Sequence, residues 1–416
     1  MKRTLTALVG EAAITPVTEL GDLRPQLRPY LPEHALMVTP ATPEEGAAVV
    51  ACAHREGWRI LAMGAGTKLN WLGRQPQVDV LLSTAAWQQV IDHAAADMTV
   101  TTQVGIRYQQ LQRHLATAGQ WIAADPPYPE TATLGGCLAT QANGTLRHRY
   151  GSWRDQCLGV RFIRSDGQLV KAGGRVVKNV AGYDLMKLLI GSYGSLGILT
   201  DVTLRVYPLP DAVQRWQLRG DTAALAAGLE AVWASSLTPA RLDLVLERSG
   251  EQRLELEFHT LREVLATGIL GDRLGAIAAA SHLSLELQEP KGIIFNPTTE
   301  QVILKVGLRP SDTLKGLVHL HEQARRLNCE CQATFAVGSG VGYAYLHGEV
   351  GTLQQLIQQL RQWVQPGYVT LLAAPLALKQ QLDPWDYRGN VELMRNLKQQ
   401  LDATGVFGAG TFVGQL

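Results

Sequence analysis

The sequence predicts an α+β fold in two domains, and three observations carry that reading. Its 416 residues are 46% hydrophobic and 18% charged, enough to build roughly two soluble cores. Glycine clusters separate strand-like from helical segments in the first half, and in the second half strand and helix patterns alternate. With 38 Lys plus Arg against 37 Asp plus Glu there is no broad field for phosphate backbones or anionic lipid, which excludes nucleic acid as the main partner.

The elements follow in order. Residues 1–30 read as an N-terminal extension: Glu11 interrupts an apolar stretch too short for a signal peptide, so the segment is taken as mature protein. From residue 31 a Pro-rich entry leads to PEEGAAVVACAHREG, a helix with Thr42 as cap and Pro43 in its first turn, and then to the short strand WRILAM. The stretches VDVLL and DMTVTTQVG read as strands, and IRYQQLQRHLATAG as a helix ending on Gly119. Residues 125–151 form a long functional loop carrying one short helix, LGGCLATQA. GVRFIRSDGQLVKAGG is a hairpin turning at Asp166 and Gly167, and SLGILTDVTLRVYPLP closes the region as a β-rich run. Pro208 and Pro210 mark the boundary between domains at 31–211 and 212–416. Beyond it DLVLE, RLELEFH, QVILKVGL, ATFAVG, VGYAYLHG and YVTLLAAP read as strands, with helices near 261–280, 313–327, 352–365 and 390–403. That pattern predicts an antiparallel sheet with helices on one face.

Three glycine segments are candidates for a ligand. Gly64-Ala65-Gly66-Thr67-Lys68 ends a strand and supplies backbone N–H groups, a hydroxyl and a cation suited to a pyrophosphate, although a plain tight turn reads equally well. It fits neither the Walker nor the Rossmann pattern. DPPYPETATLGGCLATQANG sets Thr133, Gly135 and Gly136 at a helix start, a second place for a phosphate or flavin oxygen. KNVAGYDLMKLLIGSYGSLGILTDVTL, from Lys178, offers bare backbone at Gly191, Gly194 and Gly197 for a flat ring, or a crowded core crossing.

Together these segments resemble the FAD-linked oxidases with a PCMH-type, vanillyl-alcohol-oxidase-like flavin domain, over most of residues 40–210. Within that family KNVAGYDL, GSYGSLGILT and LKQQLDATGVF are similar to the FAD-binding subunits of bacterial glycolate oxidases (glycolate dehydrogenases). The resemblance implies a PCMH-type FAD-binding domain followed by an α+β cap domain. It also implies FAD held by Gly64, Ala65, Gly66, Thr67, Lys68, Pro126, Thr133, Gly135, Gly136, Thr140, Gln141, Gly144, Gly197 and Ile198. Members with covalent flavin carry histidine in the first loop; Thr67 and Lys68 stand here, so the FAD is expected to be noncovalent. The chain departs from the family at Gly191-Ser192-Tyr193-Gly194 (usually GSEG), at Gln141 to Gly144 (usually NAGG) and at Gly408-Ala409-Gly410 (usually NPG).

Oxidation of a 2-hydroxy acid needs an anchor for the carboxylate and a base for the hydroxyl proton. Where the resemblance implies a histidine-rich metal motif, VGSGVGYAYLHG offers only His347. His319 and His321 point to opposite sides of a helix, and Cys329-Glu330-Cys331 is a weak metal pattern. No metal site and no catalytic residue are assigned. Trp153, Arg154 and Asp155 beside Tyr150 and Gly151 read either as flavin or substrate contacts or as a loop anchor. The five cysteines, at 52, 137, 157, 329 and 331, lack disulfide or iron–sulfur spacing. The expected function is therefore an electron-transferring FAD-binding subunit in 2-hydroxy-acid oxidation. Its partners would be a catalytic flavoprotein subunit and an iron–sulfur subunit. Two alternatives are a self-sufficient FAD-dependent dehydrogenase with Tyr343 or Tyr345 as base, and a scaffold that has lost flavin. A cytoplasmic location follows from the cysteine usage. The longest apolar run, Val369 to Leu378, contains Pro375 and is too short for a membrane helix, so any association with the inner face of a membrane is peripheral, through partners.

Overall fold

Apolar segments of the first half form two main sheets in the computed structural model, which describes residues 1–21, 31–73, 78–174, 183–289, 302–408 and 410–416. The chain divides into two units. The first comprises Met1–Asn143, Ser152–Pro208 and Tyr387–Leu416, the second Gly144–Gly151 and Leu209–Asp386.

In the first unit, β1 (Ile14–Pro16), β2 (Leu36–Val38), β3 (Ile60–Met63) and β4 (Val80–Ser83) form a sheet in the order β1-β2-β4-β3. β1 runs antiparallel to β2, and the other pairs are parallel. The crossover from β2 to β3 is the helix Pro43–Glu56. Thr42 Oγ1 accepts the Glu45 N–H at its start, and Gly57 ends it in the left-handed region. The second sheet is antiparallel, in the order β5-β6-β10-β8-β9, built from β5 (Val90–Ala94), β6 (Thr99–Gln103), β8 (Cys157–Ile163), β9 (Leu169–Gly173) and β10 (Ile198–Arg205). β7 (Gln120–Trp121) and β11 (Tyr207–Pro208) pair separately. The expected N-terminal extension is in part folded structure: the helix Lys2–Val9 buries Leu5 in the core and β1 completes the first sheet.

The second unit is an eight-stranded antiparallel sheet of β12 (Ala212–Arg219), β13 (Arg241–Leu246), β14 (Gln252–Thr260), β15 (Ser284–Gln288), β16 (Val302–Gly307), β17 (Glu330–Ala336), β18 (Val341–His347) and β19 (Tyr368–Ala373). Its order is β15-β12-β14-β13-β17-β18-β16-β19. Leu242, Leu244 and Leu246 on β13 and Leu254, Leu256 and Phe258 on β14 are buried with apolar side chains of the helices Thr222–Ala234, Ile269–Ala280, Thr313–Arg326 and Val350–Trp363. Alternation along a strand sends the intervening residues to the other face, where Arg215, Arg241 and Glu257 are cross-strand neighbours.

Four features depart from the sequence expectation. β12 carries the period-2 alternation, Arg215 and Gln217 against Trp216 and Leu218, yet is absent from the expected strands, and its two polar residues are buried rather than facing solvent. The helix Thr222–Ala234 is apolar nearly all round and so lacks the polar stripe that marks a surface helix. The expected helix at 261–280 is two, Arg262–Ala266 and Ile269–Ala280, broken where Gly268 takes φ +71°. The helix Val391–Leu401 belongs to the first unit, although the sequence assigned all of 212–416 to the second domain.

Candidate functional site

β3 delivers the chain into the Gly64–Lys68 loop. Gly66 adopts φ +76°, a conformation costly for a side chain, and the Leu69 N–H closes the turn on Gly66 O. Among the described residues, no acceptor takes the N–H groups of Ala65, Gly66, Thr67 or Lys68, while Gly64 to Thr67 remain half-buried rather than enclosed. Four such donors in one tight turn suit an anion.

Lys68 completes the loop's chemistry. Its side chain is buried, with Nζ 3.4 Å from Thr67 Oγ1 and 3.9 Å from Cys137 Sγ, and 5.8 and 5.7 Å from the ring centroids of Trp71 and Tyr128. Burial pushes its ammonium below the ordinary lysine value, only partly countered by Cys137. Among the described residues no carboxylate pairs with it. A buried cation surrounded by aromatic rings and a thiol fits a negatively charged ligand beside it.

The second glycine segment packs directly against this loop. A Cβ on Gly64 would lie 1.9 Å from Thr133 Oγ1, so only glycine lets the two segments meet. Thr133 caps the short helix Leu134–Ala139, accepting the Gly136 N–H at 3.3 Å. The backbone N–H groups expected at this helix start to meet a phosphate or flavin oxygen have acceptors within the protein. The Leu134 and Gly135 N–H groups donate to Ile106 O and Val104 O, at 2.9 and 2.8 Å, and the Gly136 N–H is taken by Thr133. Gly135 is there for contact, since a Cβ would sit 2.9 Å from Val104 Cβ. Thr140 donates its hydroxyl to Gly136 O, and Pro126 is buried in the approach to the segment.

The closing segment clasps the far end of the same helix. The Gly191 and Tyr193 N–H groups donate to Leu138 O and Ala139 O at 3.1 and 2.8 Å, and Gln141, at φ +46°, presses its side chain on Gly191. A Cβ on Gly197 would meet the Phe162 ring at 2.9 Å, and Ile198, opposite Ile163, is buried in the core. Gly64, Ala65, Gly66, Thr67, Lys68, Thr133, Gly135, Gly136, Thr140, Gln141 and Gly197 thus lie on connected segments. Gly144 opens the Gly144–Gly151 stretch of the second unit. Lys178 to Gly182 of the KNVAGYDL stretch, and Ala409, lie outside the described residues.

The Trp153 region acts as an anchor. Trp153 is fully buried, with its indole N–H donating to Ala142 O at 2.7 Å and its backbone N–H to Asn143 Oδ1, while Ser152 and Asp155 form a capping box. His319 stacks on Trp363 at 4.4 Å, and Cys329 and Cys331 are buried. Among the described residues no group of three His, Cys, Asp or Glu side chains is placed to hold a metal ion.

Sequence reading missed one polar constellation in the second unit. Buried Glu257 accepts from Arg215 at 2.5 Å and from His259 Nε2 at 2.9 Å, with Arg241 Nε 3.2 Å away. Burial alone would raise the Glu257 carboxyl; the His259 hydrogen bond and the two guanidiniums outweigh it and hold its pKa at about 2. A carboxylate only accepts, so His259 Nε2 carries a proton, and the other ring nitrogen, Nδ1, lies 2.8 Å from the Tyr150 hydroxyl. The only sequence signal was the alternation E-F-H on β14, which places Glu257 and His259 on one face.

Comparison with known proteins agrees with this geometry. Residues 34–173 match the family described as an FAD binding domain. The glycolate oxidase subunit GlcE of Escherichia coli is 38% identical over 154 residues, covering 37% of this chain and 43% of that protein. This chain therefore aligns with less than half the length of that relative. The D-lactate dehydrogenase of Archaeoglobus fulgidus is 26% identical over 301 residues, 67% of each protein. The glycolate oxidase subunit GlcD of Bacillus subtilis is 25% identical over 210 residues, 50% of this chain and 45% of that one. Two solved structures of alkyldihydroxyacetonephosphate synthase share the fold, with TM-scores of 0.73 and 0.74 at 16% identity, covering 97% of this chain and 84% of theirs.

Proposed function

We propose that the chain, whose residues 34–173 match an FAD binding domain, is an FAD-linked oxidoreductase and the FAD-binding subunit of a complex that oxidises a small 2-hydroxy acid such as glycolate. The observation that carries this is the Gly64–Lys68 loop: N–H groups that find no acceptor among the described residues, beside a buried lysine that finds no carboxylate among them. Those residues fit the diphosphate of FAD. The N–H groups of Ala65 to Lys68 would donate to its oxygens and Lys68 would offset its charge, while Thr133 and Gly135 hold the neighbouring segment in place. Bound FAD supplies a two-electron acceptor for hydride from the hydroxy acid. The site is dissociable, since Thr67 and Lys68 occupy the loop positions and no histidine does. Two relatives carry names of glycolate oxidase subunits, which supports a role within a complex containing a catalytic flavoprotein and an iron–sulfur subunit.

One observation favours a second reading, a self-sufficient dehydrogenase. The chain Tyr150 hydroxyl, His259, Glu257 can pass a proton from a phenol to an imidazole held by a carboxylate, the arrangement a general base requires. Turnover decides between the two. The purified, FAD-loaded single chain should reduce dye with glycolate only slowly, and co-purification with the two partner subunits should restore it. Turnover by the single chain at roughly 1–10³ s⁻¹ would overturn the subunit reading. Acid precipitation should release the flavin into the supernatant; yellow colour in the pellet would overturn the noncovalent site.

A further inference from the structure

Lys398 and Asp402 form an ion pair one helical turn apart in the first unit, with Nζ 2.6 Å from Oδ2. Exposed pairs at this spacing contribute little. This one is buried, the Asp402 side chain completely, and both partners are saturated by backbone from elsewhere in the chain. Lys398 Nζ donates to Ser195 O at 2.7 Å and Phe407 O at 2.5 Å as well as to Asp402, using all three of its N–H bonds. Asp402 accepts the N–H groups of Val406 and Phe407, at 2.9 and 2.8 Å.

The segments held this way meet the chain on either side of the Gly64–Lys68 loop, at Ile60 and Gly73. The Ile60 N–H donates to Val406 O at 2.7 Å and Ile60 bridges Phe407, so residues 406–407 extend the first sheet beside the strand that enters the loop. Beyond the loop the Gly73 N–H donates to Thr411 O at 2.9 Å. Ser195 closes the Ser192–Ser195 turn of the closing segment, where Tyr193 stacks on Phe412 at 5.4 Å. Gly408, at φ +82°, lies so close to Ser195 that a Cβ would stand 2.9 Å from the serine Cβ.

We infer that Lys398 and Asp402 are positioning residues for the flavin: a buried pin that fixes Val406 and Phe407, and through Gly408 also Thr411, against Ile60 and Gly73 on either side of the Gly64–Lys68 loop, and so presets its N–H groups for the FAD diphosphate. The inference rests on the proposed FAD site in that loop. A cradle of backbone donors binds tightly only when its geometry is held before the ligand arrives.

The test is FAD titration of the apoprotein by flavin fluorescence, with its melting temperature measured alongside. Lys398→Met and Asp402→Asn should raise the Kd about tenfold or more, and Lys398→Arg should recover part of the loss. Ser165→Ala removes a bond to Leu401 O at the same helix end without touching the pin and should stay within about twofold of wild type. Gly408→Ala leaves the ion pair intact and perturbs only the seat on Ser195; it should weaken binding severalfold and decides the matter if the charge variants do not fold. Wild-type affinity in folded Lys398→Met and Asp402→Asn, or in Gly408→Ala where those do not fold, while Gly66→Val has lost FAD, would overturn the pin alone. Wild-type affinity in Gly66→Val would overturn the loop reading and the pin with it.

Discussion

Replacing Lys68 with methionine should move two quantities in opposite directions. In the apoprotein the ammonium is buried among Thr67, Cys137, Trp71 and Tyr128 with no carboxylate among the described residues, and burial lowers its pKa. Methionine has similar length and no charge to desolvate. Removing the buried cation gains more than the two ring contacts, each ~0.5–1 kcal/mol, take away, and the apoprotein should gain on the order of 1 kcal/mol, a rise in melting temperature of about 2–4 °C. With FAD the sign reverses, because a charge-assisted hydrogen bond contributes ~1.5–3 kcal/mol, so the Kd should rise about 10- to 150-fold. Thermal melts of apoprotein and fluorescence titration with FAD give both numbers on one preparation. The same argument fixes the pH dependence. A lysine depressed in the apoprotein and restored by a diphosphate takes up protons on binding, so wild-type affinity should fall as pH rises through the depressed pKa towards 10.5, and Lys68→Met should lose that slope. A Kd within twofold of wild type, or a lower melting temperature for the variant apoprotein, would refute the account of Lys68 as an unpaired cation awaiting an anion.

Two further perturbations reach other parts of the molecule. Gly66→Val places a β-branched residue at φ +76° and should abolish FAD binding while the second unit's sheet survives, as read by flavin content of the folded protein; normal flavin content would make the loop a mere turn. Glu257→Gln should cost about 3–5 kcal/mol at pH 7 by stranding Arg215, Arg241 and His259. Because the folded pKa of Glu257 is depressed to about 2, its contribution is complete above about pH 4.5 and is lost as pH falls towards 2. Urea melts at pH 7 and pH 3 should therefore show the variant and wild type converging in acid, and a constant gap would contradict the carboxylate's role.

Local signals made most of the architecture legible. Thr42, Pro43 and Gly57 mark one helix completely, Asp166 and Gly167 mark the hairpin, and the GAGTK stretch announces itself by spacing. What the sequence blurred is what depends on tertiary neighbours. The TATLGG segment carries the signature of an anion-binding helix start, yet its N–H groups are consumed by Val104 and Ile106, contacts separated by about thirty residues that no local pattern reveals. Glycines whose role is close approach look the same in sequence as glycines whose role is a ligand. Gly64 makes way for Thr133, Gly135 for Val104 and Gly197 for Phe162.

The same limit governs charge. Lys398 and Asp402 read on paper as an ordinary i,i+4 surface pair of a polar helix, and Glu257 and His259 as residues of one more strand. Their meaning comes from what chain distance hides: Ser195 lies 203 residues from Lys398, and Tyr150 lies 109 residues from His259. Burial then changes the physics of each group, because a cation or carboxylate removed from water must be satisfied by whatever backbone or side chain the fold brings to it. Lys68 belongs to the same class, with one difference. The fold satisfies Lys398 three times over and gives Lys68 no carboxylate among the described residues, so the loop lysine's partner is best sought in the ligand.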